Sequence, residues 1–153
     1  MTQTEIFQII ASFVGSMGFG ILFNIRGKRL WAASIGGLLS WLLYILAERA
    51  IGNATVAYFA VSGAITIYAE VMARVLKSPT TTFVITSLVP MIPGSSLYYT
   101  MISVFKSNEG NFVQRAVHTL ELAAALALGV VAVTTFVRLL QRVVQYRRNQ
   151  RKQ

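Results

Sequence analysis

The chain has 153 residues, of which 55% are hydrophobic and 12% charged, and a formal net charge of +9. A mean hydropathy of +0.60 excludes an ordinary soluble domain and points to one small membrane domain. There is no cysteine or aspartate and a single histidine, which excludes disulfides and thiolate metal sites and leaves little from which to build a catalytic triad.

Taken in chain order, five apolar runs approach the roughly 18 to 25 residues that cross a bilayer. They are Ile6–Ile25, Leu30–Ala47, Ala54–Ala73, Phe83–Phe105 and Ala116–Val137. The expected fold is an all-α integral membrane protein, with one transmembrane domain over residues 1–140 and a basic cytoplasmic tail over 141–153. Glu5 stands where a signal peptide carries basic residues, so the first run reads as a mature span. Short connections leave no room for a soluble domain, which places function inside the membrane.

The first span carries Gly15, Gly18 and Gly20, the second Gly36, Gly37 and Ser40, and the third Gly63; small residues of this kind let membrane helices approach closely. Trp31, Trp41 and Tyr44 belong near the interfaces or between helices. In the third span Tyr58, Ser62, Thr66, Glu70 and Arg74 recur at a spacing of four, one stripe that is expected to face the bundle interior. An unpaired carboxylate at the depth of Glu70 is costly, and Arg74 one turn on is its expected partner. As an interfacial pair the two only snorkel and fix the helix end. In a functional reading Glu70 is a proton-coupling carboxylate or the acceptor of a substrate ammonium, with Ser62 and Thr66 as neutral neighbours for a small hydrophilic solute.

The fourth span has no charge but contains Pro90, Pro93 and Gly94 near its middle. Each proline lacks an N–H and clashes with the carbonyl four residues back, and Val89 and Ile92 before them are pushed toward extended conformations. Two half-helices of roughly 15 Å follow, meeting near the bilayer centre. Ser95 and Ser96 are placed to cap the second, whose positive end would attract a carboxylate at the midplane. A proline kink without a ligand is the plainer alternative. In the fifth span Arg115, His118 and Glu121 share a face near the outer boundary; His118 and Glu121 are secondary candidates, as a proton relay or as an ordinary surface pair.

Basic residues of short loops collect on the cytoplasmic side. With the N-terminus outside, eleven lie inside: Arg26, Lys28, Arg29, Arg74, Lys77, Arg138, Arg142, Arg147, Arg148, Arg151 and Lys152. Arg49, Lys106 and Arg115 are the three outside. The asymmetry favours an outer N-terminus and a cytoplasmic C-terminus, and a re-entrant fourth segment would spoil it. The basic tail suits anionic lipids better than nucleic acid.

The order and content of the spans resemble the threonine/serine exporter family, specifically its small, separately encoded subunit, from roughly Phe13 to Thr135. The likeness rests on Gly18-Phe-Gly-Ile-Leu-Phe-Asn24, Gly36-Gly-Leu-Leu-Ser-Trp-Leu-Leu-Tyr44, Glu70-Val-Met-Ala-Arg74 with Lys77-Ser-Pro79, and Val89-Pro-Met-Ile-Pro-Gly-Ser-Ser-Leu-Tyr-Tyr99. The resemblance implies a secondary transporter exporting small amino acids across the bacterial plasma (inner) membrane, with relatives proposed to export dicarboxylates such as succinate. Longer members fuse two halves and this chain is similar to the second, which implies a hetero-oligomer with a larger membrane subunit; a homo-oligomer is the other assembly. A non-transporting structural subunit is the competing role. No enzyme activity, cofactor or metal is expected. The resemblance supplies no binding residues, so Glu70, Arg74, Thr66, Ser62 and the break at Pro90, Pro93, Gly94, Ser95 and Ser96 are candidates on physical grounds alone.

Overall fold

Long apolar runs in lipid leave backbone N–H and C=O groups no partner but their own helix, and in the computed structural model all five runs are helical. The structure describes residues 2–105 and 109–150, the side chains of 109–111 and 144–150 excepted. The helices are α1 (Gln3–Leu22), α2 (Lys28–Ile51), α3 (Ala54–Val75), α4 (Thr80–Leu88), α5 (Gly94–Phe105) and α6 (Glu109–Gln150). Four of them are long and apolar enough to cross a membrane, and α4 with α5 makes a fifth, bent crossing. Lys106, Arg151 and Lys152 and the side chains of Arg147 and Arg148 lie outside the described residues, so their place in the charge asymmetry rests on sequence.

Helix ends follow local chemistry. Gly52 adopts φ 69°, the left-handed conformation that ends α2, and the Asn53 side chain accepts the Val56 N–H at 3.2 Å to start α3. Thr2 N–H donates to Glu5 at 2.9 Å at the start of α1. Most helices overrun the apolar runs that predict them. The 42 residues of α6 span about 63 Å at the helical rise, twice the hydrocarbon thickness, so the tail continues a helix past the membrane.

The break departs from expectation in one respect. After α4 the chain makes a 3-10 turn over Val89–Met91, and α5 starts at Gly94 with a bend of 52°. Ile92 is extended (ψ 125°) as Pro93 requires, but Val89 stays helical (φ −48°, ψ −46°). Pro90 sits in the first turn of the 3-10 segment, where a missing N–H has no bond to lose. Ser95 and Ser96 accordingly fall inside the first turn of α5 and not at its cap.

Contacts along the helices give their relative directions. Gln8 and Trp41 (3.3 Å), the Glu5–Arg49 ion pair and the approach of Gly20 to Leu30 make α1 and α2 antiparallel. The Tyr68 hydroxyl donates to Ala32 O at 2.8 Å and the Tyr44 and Tyr58 rings meet at 5.0 Å, making α2 and α3 antiparallel. By contrast Ser62 meets Gly129 while Glu70 shares cavities with Thr134 and Gln141, so α3 and α6 run parallel. A parallel pair separated by one segment requires that segment to cross completely. The α4–α5 unit is therefore a full crossing and not a re-entrant loop.

Three helix pairs close on one motif. Built onto Gly37, Gly36 or Gly129, a Cβ would fall on the hydroxyl of Ser16, Ser87 or Ser62, at the α1–α2, α2–α4 and α3–α6 contacts respectively. Ser87 also donates to Ala33 O at 3.3 Å, whereas the buried Ser16 hydroxyl has no partner among the described residues. Around these notches lie two apolar clusters, one of Tyr58, Val61, Ile65, Leu88, Met91 and Leu122, the other of Ala32, Ala33, Ala69, Ala73 and Phe83.

A Cβ on Gly129 would also stand 2.5 Å from the Phe59 carbonyl oxygen, a backbone atom that does not yield cheaply. Gly129→Ala is predicted to lower the unfolding temperature in detergent, at a cost of about 1–3 kcal/mol. Gly18→Ala, with nothing within 4 Å, should leave it unchanged or slightly raised. Ser16→Ala should be neutral or stabilising, since it removes an orphaned hydroxyl and keeps the small volume.

Candidate functional site

The stripe on α3 changes character along its length. Tyr58, Ser62 and Thr66 are buried, and the hydroxyls of Ser62 and Thr66 donate to carbonyls of their own helix, Phe59 at 3.0 Å and Ser62 at 2.7 Å. Their polarity is consumed internally. One turn further the stripe reaches the surface: the Glu70 side chain is 14% exposed and that of Arg74 60%. Their closest nitrogen–oxygen distance, 3.8 Å, is an ion pair without a hydrogen bond.

Glu70 forms part of the wall of two cavities. The larger, about 450 Å³ between α3 and α6, is mostly apolar, with Ile67, Val71, Val137 and Leu140 beside Arg74 and Gln141. The smaller, about 290 Å³, is an open pocket bordered by α3, α4 and α6 and is the more polar in residue type: Thr80, Thr81, Thr134, Arg138 and Gln141 line it with Glu70, and Thr81, Arg138 and Gln141 are exposed. Thr80 and Thr81 belong to the first turn of α4, which no side chain caps. Each cavity holds one arginine, and Glu70 and Gln141 are common to both.

The other candidates lie elsewhere. From Thr81 to Met91 is about 15 Å of helix, so the break is too distant for one small solute to touch it and Glu70 together in this conformation. At the break Pro90, Pro93 and Ser96 are half-buried and Gly94 and Ser95 exposed, and α5 makes its main contact with α6 alone, through Thr100 and Thr119 at 3.1 Å. His118 and Glu121, 3.8 Å apart and both more than half exposed, lie about 30 Å along α6 from Arg138. No group of three metal-ligating side chains occurs among the described residues.

The sequence alone did not single out Thr80, Thr81, Thr134, Arg138 or Gln141. A signal exists for three of them: Thr134, Arg138 and Gln141 are spaced by four and three, one face of a helix. Counted with the tail, Arg138 looks like one more basic residue of the cytoplasmic end. Because the Glu70–Arg74 pair is largely open to solvent on the arginine side, it contributes at most about 1 kcal/mol. Glu70→Gln is thus predicted to keep the unfolding temperature of the parent within the shift that so small a change produces, and a large drop would make Glu70 a structural residue.

Against known families, residues 8–136 match the one described as Threonine/Serine exporter, ThrE. Neither the curated proteins nor the solved structures yield a match. Helices apolar enough to span a bilayer, a broken fourth crossing and a family match over most of the chain agree, and the protein belongs to the threonine/serine exporter (ThrE) family of multi-pass membrane transport proteins.

Proposed function

We propose that the chain is a subunit of a secondary transporter that exports small amino acids, threonine and serine, across the bacterial plasma membrane. One observation carries this reading: Glu70 stands where the sealed stripe of α3 opens onto two cavities, each with its own arginine. Of the five acidic residues it alone lies toward the end of the bundle shared by Arg74, Lys77 and Arg138. By the asymmetry of basic residues that end is cytoplasmic and the N-terminus is outside. A solute leaving the cytoplasm meets Glu70 first, and its ammonium competes with Arg74 for the carboxylate. The basic residues that follow Arg138 in the sequence suit the anionic lipid headgroups on that side.

A larger membrane subunit of the same family completes the transporter in this proposal. Support comes from α5, which exposes Leu97, Tyr98, Met101 and Phe105 together with Gly94 and Ser95 at the break. Irregular backbone at membrane depth is tolerated against protein or water and not against lipid. A second reading, export of a dicarboxylate such as succinate, draws on the paired arginines, which offer one cation to each carboxylate.

The test is efflux of threonine, serine and succinate from loaded cells lacking their own exporters, with this chain alone or with its partner subunit. Threonine efflux should require both chains and fall about ten-fold or more in Glu70→Gln at equal membrane level, a loss of roughly 1.4 kcal/mol or more. Undiminished efflux by that variant would remove the carboxylate from the mechanism. Inhibition of succinate efflux by threonine would show one shared site, and succinate efflux alone would favour the dicarboxylate. No efflux with both chains in the membrane would leave a structural role.

A further inference from the structure

We propose that the smaller cavity, between the first turn of α4 and the Thr134–Arg138–Gln141 face of α6, is the recognition subsite for a free zwitterionic amino acid. Arg138 takes the carboxylate and Glu70 the ammonium. This assignment rests on the exporter reading and adds to it the position of the solute and the residues that choose it.

Arg138 and Glu70 line one cavity yet form no ion pair with each other, although closer ionic contacts are made elsewhere by Glu5 with Arg49. Arg138 has no ion-pair partner among the described residues, so its guanidinium is available to a ligand. Two opposite charges that line one pocket without pairing suit a molecule carrying both charges on adjoining groups. A dicarboxylate would have to set its second carboxylate beside Glu70, a like charge that costs binding.

Shape and polarity agree. A pocket of about 290 Å³ has room for a solute the size of threonine. Thr80 and Thr81 come from the uncapped turn of α4, whose positive dipole end adds to Arg138 in favouring a carboxylate. Gln141 supplies both a donor and an acceptor to a substrate hydroxyl, and Val84, Ile85 and Val130 form the apolar wall against which a substrate methyl packs. The larger cavity lacks this set: its walls are aliphatic apart from Glu70, Arg74 and Gln141, which fits an approach to the site better than recognition within it.

A snorkelling Arg138 that merely anchors α6 at the interface would be replaced by lysine without loss, since the point charge is retained. A carboxylate clamp would not, because the planar fork makes two parallel hydrogen bonds that an ammonium does not reproduce. The chain has no cysteine, so it contributes no background of its own, and the label on it is read after separation from the partner subunit. Thr81→Cys and Thr134→Cys, on different helices so that one survives if the other perturbs folding, are labelled with a membrane-impermeant thiol reagent in inside-out vesicles holding the complete transporter.

The expected result is labelling that L-threonine slows and succinate does not, with R138K raising the threonine concentration needed for protection about ten-fold or more while labelling itself persists. Protection unchanged in R138K overturns the role of Arg138, and protection by succinate in place of threonine overturns the zwitterion. Absence of protection at both positions overturns the subsite: if threonine efflux continues in parallel, the exporter reading stands without it, and if efflux is also absent both fall.

Discussion

A small serine side chain packed against a bare glycine sets the approach of helices at three crossings: Ser16 at Gly37, Ser87 at Gly36 and Ser62 at Gly129. In lipid there is little hydrophobic gain from pairing one apolar helix with another, so association depends on close packing, and close packing depends on residues without bulk. Each notch brings two helix backbones close together. The rest of the architecture follows from that proximity, because it leaves no room for a solute along the middle of α3.

That sealing decides where polarity does its work. Ser62 and Thr66 sit at the closest part of the α3–α6 contact and turn their hydroxyls back on their own helix. Beyond the notch α3 and α6 leave space between them, α4 begins, and Glu70 faces the space that results. The same four-residue spacing thus passes from sealed packing to open pockets within two helical turns. The broken crossing contributes to this indirectly: by completing the traverse it lets α6 descend parallel to α3, which brings Thr134, Arg138 and Gln141 to the level of Glu70.

The Glu70–Arg74 pair is suited to exchange more than to stability. At 3.8 Å and with the arginine largely exposed, its net worth is small, so in the proposed exporter a substrate ammonium would displace it at little cost. The Glu5–Arg49 pair at the opposite end joins the start of α1 to the end of α2 and has a tethering geometry. Two ion pairs of the same residue types therefore differ in what they join: one links two helices of a hairpin and the other lies within a single helix.

Composition and hydropathic runs were enough to determine an all-α membrane protein with five crossings, since the cost of unpaired backbone in lipid admits few other solutions. Pro93 likewise dictated an extended Ile92, and the spacing from Tyr58 to Arg74 dictated one shared face, because both are properties of a single helix. Which part of that face would be sealed, and which would open, was decided by tertiary structure. It depends on the pairing of Ser62 with Gly129, some 67 residues away in the chain. For the same reason Arg138 read as part of a basic tail until the parallel packing of α3 and α6 set it in one cavity with Glu70. Short-range patterns specify what each helix is, and only the contacts between helices specify which of its polar residues meet.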